Sequence, residues 1–132
     1  MKNNLGLKYG YRSGLEKKVS DQLEALGVPY EYEQHKLGFE QPAKNRTYTP
    51  DFYIHGDSKT IIIETKGRFM TADRQKHLLI KKQHPDLDIR FVFTNPNTKL
   101  YKGAKSTYAD WCDKNGFMYS MKDIPLEWIE EL

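Results

Sequence analysis

A single cysteine, Cys112, in a chain of 132 residues excludes an intramolecular disulfide, and its neighbours show no metal-ligand spacing. No apolar run approaches the roughly 20 residues that span a bilayer, and the segment after Met1 lacks the apolar core of a signal peptide. Internal repeats, low-complexity tracts, a phosphate-cradling glycine-rich loop and a nucleophile–histidine pairing are all missing. The four histidines, His35, His55, His77 and His84, lack His-x-x-x-His or comparable spacing, which argues against zinc. Charge of one sign is barely in excess: a net +3 and a pI near 8.8 permit a nucleic-acid partner without demanding one. Together these absences point to the cell interior and to a fold without covalent or metal staples. What is present is ordinary globular composition, 38% hydrophobic and 30% charged, in a chain long enough for one real core.

Along the chain, residues 1–12 carry Lys2, Lys8 and Arg12 with two glycines and no period, and read as a basic arm. Ser13-x-x-Glu16 has capping-box spacing; Leu15, Val19, Leu23 and Leu26 form an apolar stripe, and Gly27 suits a left-handed stop. Val28, Tyr30 and Tyr32 alternate with polar residues, predicting a strand over 28–33. Residues 34–46, polar and interrupted by Gly38 and Pro42, read as a long connection of the functional or swap-prone kind. Strands are expected at 48–54 and 60–65, joined through His55-Gly56-Asp57, with Ile61-Ile62-Ile63 as a central strand covered on both faces. Thr71 is placed to cap a helix running to about Gln83, stopped by Pro85. A strand over 88–94, an Asn95-Pro96-Asn97 turn, a helix over 107–115 ended by Gly116, a short strand at 117–119 and a helix from about Pro125 complete an αβββαβαβα order. That order predicts an α/β domain over 13–132, a mixed sheet flanked by helices.

Pro50-Asp51 in one strand and Glu64-Thr65-Lys66 at the end of the next carry the chemistry. Side chains alternate along a strand, so Glu64 and Lys66 share a face and Thr65 points away. If the strands pair across their short turn, Asp51 falls beside Glu64. Carboxylates next to an Ile-Ile-Ile run are costly to desolvate, and a hard divalent cation explains them. Magnesium takes oxygen ligands from one or two carboxylates together with substrate phosphate; bound there it polarises a phosphodiester and acidifies an attacking water. Lys66 would orient that water or stabilise negative charge on the phosphorane. Glu16 would serve a second cation if the first helix packs over the sheet end.

Blander readings compete. Glu-x-Lys on one strand face is commonly a surface pair, and the capping box alone accounts for Glu16. His55 lies in a turn open to solvent. Cys112, after Trp111 in a short helix, reads as a small core residue. Lys76, Lys81 and Lys82 read as a solvated helix face, although with Arg68 and Arg74 beside Lys66 they are also placed to touch phosphates.

Pro50-Asp51 with Glu64-x-Lys66 resembles the PD-(D/E)xK nuclease signature. A wider set of blocks, Arg12-Ser13-Gly14-Leu15-Glu16, Thr47-Tyr48-Thr49-Pro50-Asp51-Phe52, Glu64-Thr65-Lys66-Gly67, His77-Leu78-Leu79-Ile80, Thr98-Lys99-Leu100-Tyr101-Lys102-Gly103 and Glu127-Trp128-Ile129, resembles the bacteriophage endonuclease I family in order and over nearly the whole chain.

The resemblance implies a restriction-endonuclease-like fold and a Holliday-junction resolvase, a homodimer that nicks four-way and other branched DNA inside an infected bacterial cell. It implies a catalytic centre of Glu16, Asp51, Glu64 and Lys66, with magnesium or manganese, two ions per site, held by Asp51, Glu64, Thr65 and Glu16. Glu16 thereby gains a ligand role beside its cap. Glu31 matches a functionally important acidic position, and Arg12, Glu31, Arg68, Arg74 and Lys76 are the expected DNA contacts. Segments exchange between subunits in the family, so Glu16 is expected to act in trans to Asp51, Glu64 and Lys66. The family pattern also includes a lysine-rich tail beyond the position of Leu132 and a longer amino-terminal arm, so weaker or less salt-dependent affinity is expected here. The alternatives are a sequence-specific restriction- or transposase-type nuclease and a junction-binding module that does not cut.

Overall fold

The first helix shows how the sequence fixes packing. At about 3.6 residues per turn, Glu16, Val19, Ser20 and Leu23 fall on one contiguous face, and all four are buried in α1 (Gly14–Leu26). Leu15 and Leu26 lie at the margins of that face, so Leu26 is exposed although it continues the apolar spacing. Gly27, at φ +66, ends the helix in a Schellman arrangement: the Val28 N–H reaches the Leu23 carbonyl at 3.1 Å. In the computed structural model, which describes residues 14–41 and 44–132, the expected basic arm with Arg12, the Ser13 cap and Pro42 lie outside the described residues.

Among the described residues, seven strands follow in two sheets: β1 (Tyr30–Tyr32), β2 (Leu37–Gln41), β3 (Lys44–Tyr48), β4 (Phe52–His55), β5 (Thr60–Lys66), β6 (Ile89–Phe93) and β7 (Met118–Met121). The main sheet has the order β1-β4-β5-β6-β7. Its β1–β4 and β4–β5 pairs are antiparallel, and its β5–β6 and β6–β7 pairs are parallel. Ile61, Ile62 and Ile63 lie in the middle strand of five and are buried, as a doubly covered strand requires.

Alternation along β5 and β6 sends side chains into two cores. Ile62, Phe91 and Phe93 pack with Phe69, Ile80, Trp111 and Phe117 beneath α2 (Thr71–Gln83) and α3 (Tyr108–Asn115). Ile61, Ile63 and Val92 pack with Val19, Leu23, Phe52 and Trp128 beneath α1 and α4 (Leu126–Glu130). Cys112 is fully buried in the first of these cores, and burial pushes its thiol up to about 12. It packs as a small core residue.

Two expectations are corrected. Residues 34–46 hold most of a β2–β3 hairpin, with Leu37 opposite Tyr48 and Phe39 opposite Arg46. Only Leu37 and Phe39 carry its alternation, too few to stand out in sequence, yet Phe39 is buried against the α2 side. The His84 imidazole, at the end of α2, bonds the Gly38 carbonyl. The strand expected over 48–54 is instead broken at Thr49-Pro50-Asp51, where Pro50 has no N–H for a ladder; β3 ends in the hairpin and β4 begins in the main sheet.

Helix signals hold to within a residue. Met70, not Thr71, caps α2, and its N–H is accepted by Asp73 at 3.2 Å. Thr107 and Asp110 form a reciprocal capping box at α3, and Gly116, at φ +76, closes it. Among the described residues no helix is long and apolar enough to cross a membrane.

Candidate active site

The carboxyl end of β5 is where charge meets core. Glu64 is 3% exposed, on the α2 side of the sheet. Its Oε2 accepts the Tyr48 hydroxyl at 2.8 Å and the Asp51 N–H at 3.1 Å. Lys66, two residues on and on the same face, stands with Nζ 3.8 Å from Glu64 Oε1 and 3.6 Å from Asp73 Oδ1. Asp51 is therefore beside Glu64 as expected, but it presents its backbone there. Its carboxylate turns to the opposite side, where Oδ2 accepts the Thr65 N–H at 2.9 Å and the Thr65 hydroxyl at 3.0 Å. Thr65 points away from Glu64, as alternation demands, and by doing so fastens Asp51.

On that side α1 and the end of β1 bring two further carboxylates. One oxygen from each of Glu16, Glu33 and Asp51 lies within 4.8 Å of the others. Glu16 is 4% exposed, and its Oε2 accepts the Tyr32 hydroxyl at 2.7 Å. The structure thus brings Glu16, Asp51, Glu64 and Lys66 to one end of the sheet, with Glu16 beside Asp51 of its own chain.

Glu33 is the residue that sequence reasoning missed. Strand alternation gives it the face of Glu31, but its φ of +50 breaks that alternation. Its N–H bonds the Asp51 carbonyl at 3.2 Å. Asymmetry between these two glutamates is invisible in Tyr30-Glu31-Tyr32-Glu33. Glu31 lies apart from the cluster: its Oε2 is 2.6 Å from His55 Nε2 and its Oε1 is 3.9 Å from His35 Nδ1. His55 is exposed, as its turn position implied, but engaged.

The electrostatics separate the roles. Burial, reinforced by the Glu64 and Glu16 carboxylates, pushes Asp51 well above the ordinary carboxylate range, against the Thr65 N–H and Lys66. Burial alone would raise Glu64 too, but His77, Lys66 and Tyr48 outweigh it and hold this carboxyl down at about 2. His77 acts there at a distance, since its Nε2 is 3.7 Å from Oε1. Desolvation opposes the Lys66 ammonium, yet Glu64, Asp73 and Asp51 together raise it above its usual value, so Lys66 is a cation at neutral pH and not a base.

The expected nucleic-acid contacts are scattered. Arg68 is exposed in the loop just beyond Lys66. Arg74 is 9% exposed and turned inward, donating to the Phe69 carbonyl at 2.6 Å and the Thr71 hydroxyl at 3.0 Å. Lys76 lies over the Tyr48 ring, 5.3 Å from its centroid. Lys81 is anchored on the Gly116 carbonyl and the Phe117 ring. A groove of about 730 Å³ between the hairpin and α2 is lined by Phe39, Arg46, Lys76, Leu79 and Lys82 among others.

An α/β domain with a mixed sheet, carrying convergent carboxylates and a half-buried lysine at the end of its middle strand, is the class that this geometry defines. The chain belongs to the phage endonuclease I family, whose sequence profile matches residues 2–132. It is 52% identical over 121 residues to Endonuclease I of Escherichia phage T7, an alignment covering 92% of this chain and 79% of that protein. It is 46% identical over 121 residues to Endodeoxyribonuclease 1 of Enterobacteria phage T3, covering 92% and 78%.

Proposed function

We propose that this protein is a divalent-metal-dependent DNA endonuclease that cleaves four-way (Holliday) junctions and other branched DNA. The observation that carries the reading is the convergence of Asp51, Glu64 and Glu16 with cationic Lys66 at the end of β5. An endonuclease name on both curated relatives supports it.

The donor set fits magnesium or manganese. It is all oxygen, partly desolvated, and strained as it stands, because Asp51 resists ionisation beside Glu64 and Glu16. Asp51 gives its N–H to Glu64 on one side and its carboxylate to the grouping with Glu16 and Glu33 on the other, and two ions per site are proposed, one on each side of it. When bound, such cations supply Lewis-acid polarisation of a phosphodiester and acidify the attacking water. Thr65 fixes the Asp51 carboxylate and Tyr48 fixes Glu64. Lys66 is placed to donate to a phosphate oxygen and to stabilise the charge that develops as water attacks. Arg68, Lys76 and Lys82 then meet the flanking phosphates, and the domain is of the restriction-endonuclease-like kind.

The test compares a labelled four-way junction with its matching linear duplex, with magnesium and with chelator. Nicking confined to the junction, dependent on metal and lost in Asp51→Ala, is expected. Equal cutting of the duplex would favour the sequence-specific alternative, and tight binding without cutting would leave a junction-binding module.

The working unit is proposed to be a homodimer with exchanged segments, acting inside an infected bacterial cell. Glu16 lies beside Asp51 of its own chain here; exchange would seat the partner's α1 in the same place. Mixing Glu16→Ala with Asp51→Ala subunits decides between the two arrangements. An exchanged heterodimer regains one intact site and its nicking, whereas an unexchanged one regains nothing.

A further inference from the structure

Of the four histidines, His77 alone is sealed from solvent, at 0% exposure. It sits on the buried face of α2 in a box of aromatic edges. The Tyr48 ring is 5.5 Å away and perpendicular, Phe91 lies at 4.9 Å, and Phe117 at 6.5 Å. Neither ring nitrogen has a hydrogen-bond partner among the described residues. A phenylalanine would fill this box without orphaned polar atoms, and buried polar groups without partners are costly. The imidazole therefore calls for a reason beyond packing.

Nε2 supplies one. It is 3.7 Å from Glu64 Oε1, the oxygen that Tyr48 and the Asp51 N–H leave alone, since both donate to Oε2. Held by two donors at Oε2, the carboxylate has one remaining freedom, the direction of Oε1. Lys66 stands 3.8 Å from that oxygen but is drawn equally toward Asp73. His77, locked in its helix, is the rigid neighbour. The facing carboxylate assigns the ring proton to Nε2.

We propose that His77 is a positioning residue for Glu64, its Nε2–H setting the angle at which Oε1 is presented to a divalent cation. This rests on the nuclease reading above, and it places an imidazole behind a ligating carboxylate, the kind of outer-shell partner that orients metal ligands elsewhere.

The test uses the full-length chain with His77→Phe, which keeps the ring and removes the donor, and His77→Gln, whose amide reaches the same point. Manganese binding by calorimetry without DNA, kcat and KM on a four-way junction, and thermal unfolding are measured. For His77→Phe, manganese affinity and kcat each fall roughly 10- to 100-fold, KM holds, and the unfolding midpoint stays at or above wild type. His77→Gln recovers most of both losses. Wild-type affinity and kcat in His77→Phe would overturn the proposal, as would equal losses in the two variants, which would mark a packing role. If His77→Phe fails to fold, His77→Leu takes its place under the same criteria. A wild-type protein that neither binds manganese nor cuts would instead overturn the nuclease reading, and this assignment with it.

Discussion

Two clusters of buried charge cap the sheet at opposite ends, and they are built on contrary principles. β5 and β6 run parallel, so the start of β6 marks one end and Glu64 and Lys66 mark the other. At the start, Arg90 is 2% exposed in an otherwise apolar strand. Its guanidinium makes four hydrogen bonds of 2.7–2.8 Å to Asp88 and Glu131, over the Trp128 ring at 5.2 Å. Lys59 bridges the same two carboxylates at 2.7 and 3.4 Å. Two cations face two anions, the planar fork matches the carboxylates, and both acids are pulled below their ordinary values.

At the far end the balance is withheld. Lys66 is divided between Glu64 and Asp73 at distances longer than hydrogen bonds. Among the described residues, the hydrogen bonds to the Asp51 carboxylate come from neutral Thr65 donors, and burial with its acidic neighbours pushes it upward. One cluster is complete in itself, so it serves stability. The other is strained, as functional sites commonly are.

The largest effect expected from breaking this contrast is at Asp51. Asp51→Asn keeps an oxygen for Thr65 and removes the charge that burial, Glu64 and Glu16 oppose. Since the native Asp51 carboxyl is raised above its unfolded value, the ionised group weakens the native state at neutral pH. The variant is therefore expected to unfold a few degrees higher than wild type while losing junction cleavage by roughly 10³-fold or more. Calorimetric unfolding beside a nicking assay checks both halves. A lowered midpoint would mean that Asp51 is a structural partner of Thr65, and the contrast would collapse.

How much of this was legible in sequence follows from the range of each signal. Gly27, Gly116 and Pro85 act within a turn of chain, and they located helix ends to within about a residue. Ile61-Ile62-Ile63 announced the central strand because double burial leaves an uninterrupted apolar run. The Asp51–Glu64–Lys66 grouping was readable because two strands joined by a short turn have little choice of register.

What stayed hidden depends on distant partners or on one dihedral angle. The β2–β3 hairpin relies on Phe39 meeting α2, Arg90 on Glu131 forty-one positions away, and Glu33 on a positive φ that separates it from Glu31. Arg74 read as a free cation near the site, yet the carbonyl that binds it belongs to the loop it steadies. His77 opened one of the family-like blocks without a role attached to it, and its burial behind Glu64 is what gives it one.

A smaller effect sharpens the contrast from the balanced end. Arg90→Ala strands Asp88 and Glu131 and is expected to lower the urea midpoint at pH 7, by less than the break of a fully buried pair would, because both carboxylates reach water. The sign with pH follows from the direction of the shifts. Asp88 and Glu131 are depressed in the native state, so their contribution is fully present above their unfolded values near about 4. It drains away as pH falls through the native values, which for Glu131 is about 2. Urea midpoints of wild type and Arg90→Ala should therefore differ most above about pH 5 and converge toward pH 2. A gap that stays constant with pH would assign the loss to packing on Trp128, and the fork would no longer be an electrostatic device. Folded Arg90→Ala should still nick junctions at the wild-type rate. A slower rate in the folded variant would mean that the two ends of the sheet are energetically coupled, with the strain at Asp51 maintained in part by the fork at Arg90.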